Sequence, residues 1–149
     1  MRRGRQRRFQ QAHRNPPMPW WFGTPQWGIC RWCNNTIFKN DSVDTRRKWH
    51  PACLHDWSII ADNKYAKRCV KKRDKGICAK CGKYCHYRYE WQADHINPLI
   101  DANGDLDYWR LGNLATMCIE CHLKKTIEEN EKRTMDRRKN IGNNPKFDS

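Results

Sequence analysis

The chain of 149 residues is 38% hydrophobic and 31% charged, a balance that allows only a modest apolar core in one compact domain or two small ones. Its 30 lysines and arginines outnumber its 16 acidic residues, and the net charge of +14 favours a polyanionic partner, most simply the phosphates of nucleic acid. No apolar run approaches a membrane span and no apolar signal segment follows Met1, so we expect neither a membrane protein nor a secreted one.

The nine cysteines point to metal binding. Thiols stay reduced inside cells, where Cys-x-x-Cys pairs are typical of metal thiolates. Seven of the nine fall into metal patterns, which leaves Cys69 and Cys85. We expect a cytoplasmic or nucleoid-associated protein, in the host cytoplasm if a phage encodes it, although the N-terminal arginines would also suit nuclear import. Because the sequence has no heptad or exposed apolar stripe, a monomer is expected.

The N-terminal segment, residues 1–25, is predicted to be a basic arm. Its first 19 residues include six arginines and no acidic residue. Such an arm can lie along a phosphate backbone or act as a solubilising tail, and the basic character of the whole chain favours the first. Nearby aromatic residues are expected to cover a small core rather than to stack on bases; they are Trp20, Trp21, Phe22 and Trp27. The arginines predicted to contact DNA are Arg2, Arg3, Arg5, Arg7 and Arg8.

Residues 26–60 are predicted to form a zinc-finger-like module. The predicted ligands are Cys30, Cys33, His50 and Cys53. The sixteen residues between the two ligand pairs suffice for a hairpin that brings the pairs together. Three thiolates and one imidazole suit tetrahedral Zn²⁺ and leave no open position for catalysis. The arrangement resembles the zinc half-modules of LIM-type fingers, including the Trp before the His. His55 is a spare candidate ligand but is more typical of an exposed histidine.

A connecting helix is predicted over residues 56–76, with Asp62 or Asn63 able to cap its start and Gly76 ending it. Apolar side chains recur at helical spacing on one face, while the basic residues fall largely elsewhere. The residues of the apolar face are Tyr65, Cys69 and Val70. On that face Cys69 is expected to be a packed thiol rather than a ligand.

The segment from Cys78 to Thr126 is predicted to hold the chemistry. Two Cys-x-x-Cys pairs have the ligand types of a closed zinc site; these are Cys78, Cys81, Cys118 and Cys121. Between them the sequence predicts a strand over residues 88–96, a loop over 97–107 and a turn at Gly112-Asn113. A helix is predicted over residues 122–138, because good helix formers run through it.

This segment resembles the HNH endonuclease superfamily, whose fold is called ββα-metal. The resemblance covers about residues 73–126, and the full set of motifs in this order is specific where a lone Asp-His is not. It depends on Cys78-x-x-Cys81, Trp91-Gln-Ala-Asp94-His95-Ile96-x-Pro98, Asn113-Leu114-x-Thr116-x-Cys118-x-x-Cys121-His122 and Lys125-Thr126. The zinc-braced pattern is similar to free-standing HNH nucleases of phages and bacteria, and to a nuclease domain appended to a replication-fork remodelling helicase.

The resemblance implies a role for each matching residue. His95 would be the general base and Asn113 would hold the loop that presents the site. Asp94 and His122 would bind one catalytic divalent ion, Mg²⁺ or Mn²⁺, with Ni²⁺ or Co²⁺ as softer alternatives. Cleavage would leave 5′-phosphate and 3′-hydroxyl ends. Two lysines after His122, Lys124 and Lys125, are candidate phosphate contacts, with a plain surface role nearly as plausible.

The predicted fold is therefore small, α+β and zinc-stabilised. A ββα-metal core with its leading helix occupies residues 61–138 and a flexible tail residues 139–149. Two features depart from the pattern: the loop has one Asn103-Gly104 where many members have paired glycines, and Cys85-His86 offers an alternative metal pair. The predicted function is a DNA endonuclease. The alternatives are a zinc-stabilised nucleic-acid-binding protein without cleavage, and an HNH subunit active only within a larger complex.

Overall fold

The computed structural model describes residues 15–142, with side chains to residue 140. The five arginines predicted to contact DNA, at positions 2, 3, 5, 7 and 8, lie outside the described residues, as does the tail from residue 143. Within the described part, no helix combines the length and apolar character needed to cross a bilayer.

The first module contains the hairpin expected between the two ligand pairs. Strand β1 (Phe38–Lys39) pairs antiparallel with β2 (Ser42–Val43). The two residues between them, Asn40 and Asp41, have φ of 48° and 61°. Left-handed conformations at both positions match the twist of paired strands, and Asn and Asp tolerate them well. The small core around this module combines cysteines with aromatic rings; it includes Cys30, Trp32, Ile37, Phe22, Trp49 and Trp57.

The prediction of one helix over residues 56–76 is wrong. The chain forms α1 (Pro51–Ala61) and α2 (Asn63–Asp74), separated by Asp62 in an extended conformation. Asp62 does cap α2, because its carboxylate accepts the backbone N–H groups of Lys64 and Tyr65. Helix α1 starts early because Pro51 suits a first helical position, where no N–H partner is needed. Helix α2 ends two residues before Gly76, as Lys75 turns left-handed.

The C-terminal core consists of two strands and a helix, as expected, with shifted boundaries. Strand β3 (Trp91–His95) is shorter than the predicted 88–96, and pairs antiparallel with β4 (Leu114–Cys118). Helix α3 (Ile119–Gly142) begins three residues earlier than predicted and continues past residue 138. Between the strands, short 3-10 helices lie at Leu99–Asp101, Leu106–Trp109 and Leu111–Asn113. The first two begin within the loop predicted over residues 97–107, and the third contains the predicted turn at Gly112-Asn113.

Helix α2 and the cysteine loop complete the hydrogen bonds of β4. The carboxylate of Asp74 accepts the Thr116 N–H at 2.8 Å, and the Thr116 carbonyl accepts the Ala79 N–H at 2.8 Å. Arg73 donates to the Leu111 carbonyl at 2.7 Å. Burial opposes ionisation of Asp74, but hydrogen bonds from Arg73 and Thr116 outweigh it and lower its pKa. The outer edge of β4 is thereby fixed against the end of α2.

The main core lies between α2, the sheet and the second group of cysteines. Its fully or nearly fully buried residues include Ile59, Val70, Cys85, Trp91 and Leu114. Helix α1 contributes to both cores, because Ile59 packs in the main one while Trp57 packs in the first module. Cys69 packs against the main core from a partly buried position, in agreement with the predicted apolar face of α2.

Candidate metal centres and active site

The Cys-x-x-Cys loops at residues 30–33 and 78–81 form the same hydrogen-bonded turn. In each, the amide of the residue after the second cysteine donates to the carbonyl of the first: Asn34 to Cys30 and Gly82 to Cys78, both at 2.9 Å. Asn34 and Gly82 have φ of 60° and 73°, a left-handed conformation that Gly and Asn adopt readily. This turn brings the two thiols of each pair toward one point, which is what a shared metal ion requires.

The first cluster joins all four predicted ligands. The ligand atoms of Cys30, Cys33, His50 and Cys53 lie within 4.8 Å of one another. The Nδ1 atom of His50 is 3.3 Å from the Cys33 Sγ. Its Nε2 atom lies 3.3 Å from the Thr36 carbonyl oxygen, which can only accept, so Nε2 holds the proton and Nδ1 is free to ligate. This cluster could hold zinc.

The second cluster is formed by the four predicted thiols. The Sγ atoms of Cys78, Cys81, Cys118 and Cys121 lie within 4.8 Å of one another. Zn–S bonds of about 2.3 Å in a tetrahedron place neighbouring sulfurs roughly 3.8 Å apart. The 3.7 Å between the Cys81 and Cys118 Sγ atoms fits that spacing. The cluster connects the Cys-x-x-Cys loop at residues 78–81 to the end of β4 and the start of α3.

Thiol electrostatics in the second cluster favour a bound cation. Burial opposes ionisation of Cys78, but backbone N–H groups led by that of Cys118 outweigh it and lower its pKa to about 6. The hydrogen bond from Cys121 to Cys118, reinforced by burial, raises the pKa of Cys121 to about 12. Neighbouring thiolates repel one another, so all four can ionise together only around a cation.

The spare candidates lie outside both clusters. Cys85 and His86 belong to neither cluster. Cys85 is completely buried in the main core, where burial raises the pKa of its thiol. His55 Nδ1 is 2.8 Å from the Tyr65 hydroxyl, a contact that ties α1 to α2. Among the described residues, the two clusters are the groups of three or more potential ligands.

A smaller polar group lies where β3 meets α3. The Nε2 atom of His122 is 3.5 Å from the Oδ1 atom of Asp94. Two ligands at about 2.1 Å from a shared ion stand roughly 3.0 Å apart at a right angle and farther apart at wider angles, so this distance is compatible with one ion. Both side chains are partly exposed, at 16% for Asp94 and 33% for His122, which leaves access for water and substrate.

Lys125 contacts the proposed metal ligand Asp94, and this contact was not predicted from the sequence. Its ammonium lies 2.6 Å from the Asp94 Oδ2, 2.6 Å from the His95 carbonyl oxygen and 3.0 Å from the Glu129 carboxylate. Burial opposes its charge, but hydrogen bonds to Asp94 and Glu129 outweigh burial and raise the pKa of Lys125. These contacts place Lys125 where it can orient Asp94. The neighbouring Lys124 is exposed, and the phosphate contacts predicted for both lysines stay predictions. The i, i+4 spacing of Lys125 and Glu129 indicates their ion pair, but no local pattern indicates the contact of Lys125 with Asp94.

His95 is turned differently from Asp94. Successive strand residues project to opposite faces. The Asp94 carboxylate meets α3, whereas His95 lines a cavity of about 430 Å³ together with residues of α1, α2 and the loop, including Ile60, Lys67 and Leu99. Burial lowers the pKa of His95; the Asp94 charge opposes this change and the Lys125 charge adds to it. This shift favours the neutral imidazole, the form that can accept a proton.

Asn113 connects both sides of the long loop. Its Oδ1 accepts the Asn97 N–H at 2.9 Å, and its Nδ2 donates to the carbonyls of Asn97 at 3.0 Å and Tyr108 at 2.8 Å. The residue is buried, with 8% of its surface exposed. Because all three bonds use backbone partners, Asn113 fixes the chain just after His95 regardless of the neighbouring side chains.

Asn103 and Gly104 form a turn in the long loop, with φ of 47° and 85°, so this loop closes without paired glycines.

Comparison with known proteins gives consistent matches. The HNH endonuclease family profile matches residues 78–128. The probable HNH endonuclease of Lactococcus phage SK1 is 36% identical over 91 residues, which cover 58% of this chain and 86% of the phage protein. A DNA annealing helicase and endonuclease of Bos taurus is 35% identical over 54 residues, or 36% of this chain and 5% of that protein. No solved structure gives a significant match.

Proposed function

Because the chain belongs to the HNH endonuclease family, we propose that it is a metal-dependent DNA endonuclease that hydrolyses phosphodiester bonds with one catalytic ion. The observation that supports this most strongly is the 3.5 Å approach of Asp94 to His122 beside a thiolate cluster. The net charge of +14 suits a DNA substrate, and DNA figures in the names of the mammalian relatives. A protein that only bound nucleic acid would need the basic surface but not this pair.

Asp94 and His122 are the proposed ligands of the catalytic ion. A carboxylate with an imidazole accepts Mg²⁺ or Mn²⁺, and also Ni²⁺ or Co²⁺. When bound, such an ion supplies electrostatic stabilisation of the phosphodiester transition state. Lys125 holds the second carboxylate oxygen, so that Oδ1 stays directed at His122.

His95 is the proposed general base. Its neutral imidazole can take a proton from the attacking water. As the water oxygen bonds to phosphorus the P–O3′ bond breaks, and the leaving 3′-oxygen takes up a proton from solvent, which gives 5′-phosphate and 3′-hydroxyl ends. In-line displacement places the attacking and leaving oxygens on opposite sides of the phosphorus. Consecutive residues at the end of β3 project to opposite faces, and this suits a phosphate lying across the strand end between His95 and the Asp94–His122 pair. Asn113 would hold that strand end in place through Asn97.

Supercoiled plasmid provides the test of this function. We expect the full chain, with zinc retained, to nick or linearise plasmid when Mg²⁺ or Mn²⁺ is added, and His95→Ala to slow cleavage by ~10²–10⁴-fold. His55→Gln, which changes a histidine outside the site, is the matched control and should cut at the wild-type rate. Plasmid that stays supercoiled with every divalent ion would favour a binding protein or a subunit that needs a larger complex.

The two adjacent lysines of α3 offer a second prediction. Lys125→Met should raise the Mg²⁺ concentration needed for half-maximal cleavage by ~10–100-fold, because Asp94 loses the group that orients it. Lys124→Met is the matched control, since it removes an exposed charge from the same helical turn. It should leave the Mg²⁺ requirement unchanged and at most weaken DNA binding. Equal Mg²⁺ requirements for the two variants would contradict an orienting role for Lys125.

The remaining organisation follows from these assignments. We infer a basic arm over residues 1–25, a zinc-binding module over residues 26–60 and a nuclease domain that begins at residue 61 and ends with α3 at residue 142, which shortens the predicted tail to residues 143–149. The proposed cofactors are two structural zinc ions and one catalytic divalent ion. The protein is proposed to work on DNA as a monomer, in the host cytoplasm if its role matches that of the phage relative.

A further inference from the structure

Four exposed aromatic rings lie between the second Cys-x-x-Cys loop and β3, in a segment that the proposed mechanism does not use. In order of contact they are Tyr84, His86, Tyr87 and Tyr89, with successive ring centroids 6.0, 4.6 and 5.4 Å apart. The tyrosines are 58%, 53% and 71% exposed. Exposed aromatic residues grouped in this way are a mark of an interaction surface.

The segment is anchored at both ends. The Cys85 side chain is fully buried, and its N–H donates to the Gly76 carbonyl at 2.8 Å. The Glu90 carboxylate accepts the Tyr87 N–H at 2.9 Å, and the Glu90 carbonyl accepts the Ile119 N–H at 3.0 Å. The rings therefore project from a backbone that is fixed to the main core and to the start of α3. A ligand would not have to order this backbone on binding.

Geometry and charge together indicate the ligand. The rings of Tyr87 and Tyr89 are parallel within 2°, the relative orientation of successive stacked bases. The His86 ring stands at 86° to Tyr87 and at 56° to Tyr84 and flanks this parallel pair. Three basic residues belong to this segment or contact it: Lys83 and Arg88 are exposed within it, and Lys71 donates to the His86 carbonyl. The nearby acid, Glu90, is engaged by the Tyr87 N–H. Aromatic faces beside cations suit a polymer of planar bases and phosphates.

We propose that the parallel rings of Tyr87 and Tyr89, flanked by those of Tyr84 and His86, form a platform on which unpaired bases of a DNA substrate stack. We call this set, Tyr84, His86, Tyr87 and Tyr89, the aromatic platform. Bases in an intact duplex already stack on their neighbours and have no free face, whereas unpaired bases do. The substrate class is accordingly DNA with a single-stranded portion. The inference rests on the proposed function for the identity of the polymer, but stacking needs neither the catalytic ion nor cleavage.

Binding without added Mg²⁺ or Mn²⁺ tests the platform apart from catalysis. The full chain is titrated into fluorescein-labelled oligothymidylate and into a labelled duplex of equal length, and a denaturing gel checks that both stay intact. The double variant Tyr87→Ala, Tyr89→Ala should bind oligothymidylate at least ~10-fold more weakly. Its duplex affinity should change by less than ~2-fold, because phosphate contacts dominate there.

Two control variants separate stacking from other effects. Tyr87→Phe with Tyr89→Phe retains the rings and should bind like the wild type, whereas a loss equal to that of the alanine variant would overturn the stacking role. Phe38→Ala removes a ring that is 65% exposed in the first module and should leave both affinities unchanged. Both changed tyrosines are largely exposed, so each variant should keep the wild-type melting temperature.

Replacing one base of the oligonucleotide by 2-aminopurine gives a direct readout, because the fluorescence of this base falls when it stacks. We expect quenching with the wild type and little with the alanine variant. Equal losses for single-stranded and duplex DNA, no loss for either, or a change in oligomeric state instead of affinity would overturn the proposal. None of those results bears on plasmid cleavage. If the protein binds oligothymidylate selectively but cleaves no DNA, the nuclease function is contradicted and the stacking proposal is not.

Discussion

Asp94→Ala is expected to abolish cleavage while the protein remains folded. The variant removes a proposed ligand of the catalytic ion, and the electrostatic stabilisation at stake is several kcal/mol. We therefore expect the cleavage rate to fall by at least ~10³-fold. The fold should survive, because Asp94 is partly exposed and Lys125 keeps its contact with Glu129. The measurements are plasmid cleavage with Mg²⁺ or Mn²⁺ and a circular-dichroism melt.

Asp101→Ala is the matched control for that variant. Asp101 is an exposed carboxylate in the loop after β3 and belongs to neither metal cluster. Its removal changes the net charge by the same amount, so it should cut at the wild-type rate. An Asp94→Ala protein that cuts as fast as this control would rule out the metal role of Asp94.

Cys78→Ser is expected to unfold the nuclease core. The four thiols of its cluster connect a loop, the end of β4 and the start of α3, and the main core around them is small. Binding of structural zinc is worth ~10–16 kcal/mol in small metal-dependent domains, more than most domains have as net stability. We expect the zinc content to drop from two ions per chain to one. The cooperative melting transition of the nuclease core should disappear, so that only the first module remains folded.

Cys69→Ser provides the comparison for the loss of a thiol. Cys69 packs against the same core from a partly buried position but lies outside both clusters. The variant should retain both zinc ions and lose no more than about 1 kcal/mol of unfolding free energy. If Cys78→Ser melts like Cys69→Ser, the second cluster does not stabilise the fold.

Local sequence signals predicted the parts of the fold that depend on neighbouring residues. The spacing of the cysteines predicted both clusters, because a Cys-x-x-Cys turn needs only local backbone geometry. The cap at Asp62 was predicted for the same reason, since its carboxylate bonds to amides two and three residues later. The break between α1 and α2 was not predicted, because a single helix over residues 56–76 places the capping residue Asp62 in its interior.

The parts that depend on contacts distant in the chain were not predictable. Lys125 reaches Asp94 across 31 positions, and Asp74 accepts the Thr116 amide across 42. No periodicity indicates such partners, because they follow from the crossing of α3 over the sheet and the packing of α2 beside it. The aromatic platform was likewise absent from the sequence expectations, since only the fold shows that Cys85 is buried while the rings around it face solvent.

The shared ion of Asp94 and His122 is the central claim, and Mn²⁺ binding followed by electron paramagnetic resonance tests it most directly. With both thiolate clusters filled by zinc, the wild-type chain is predicted to bind one Mn²⁺. Asp94→Ala and His122→Ala should each weaken that binding by at least ~10-fold, because each removes one of only two protein ligands and so lowers the affinity for Mn²⁺. Mn²⁺ bound equally tightly by the wild type and both variants would contradict a shared ion at this position.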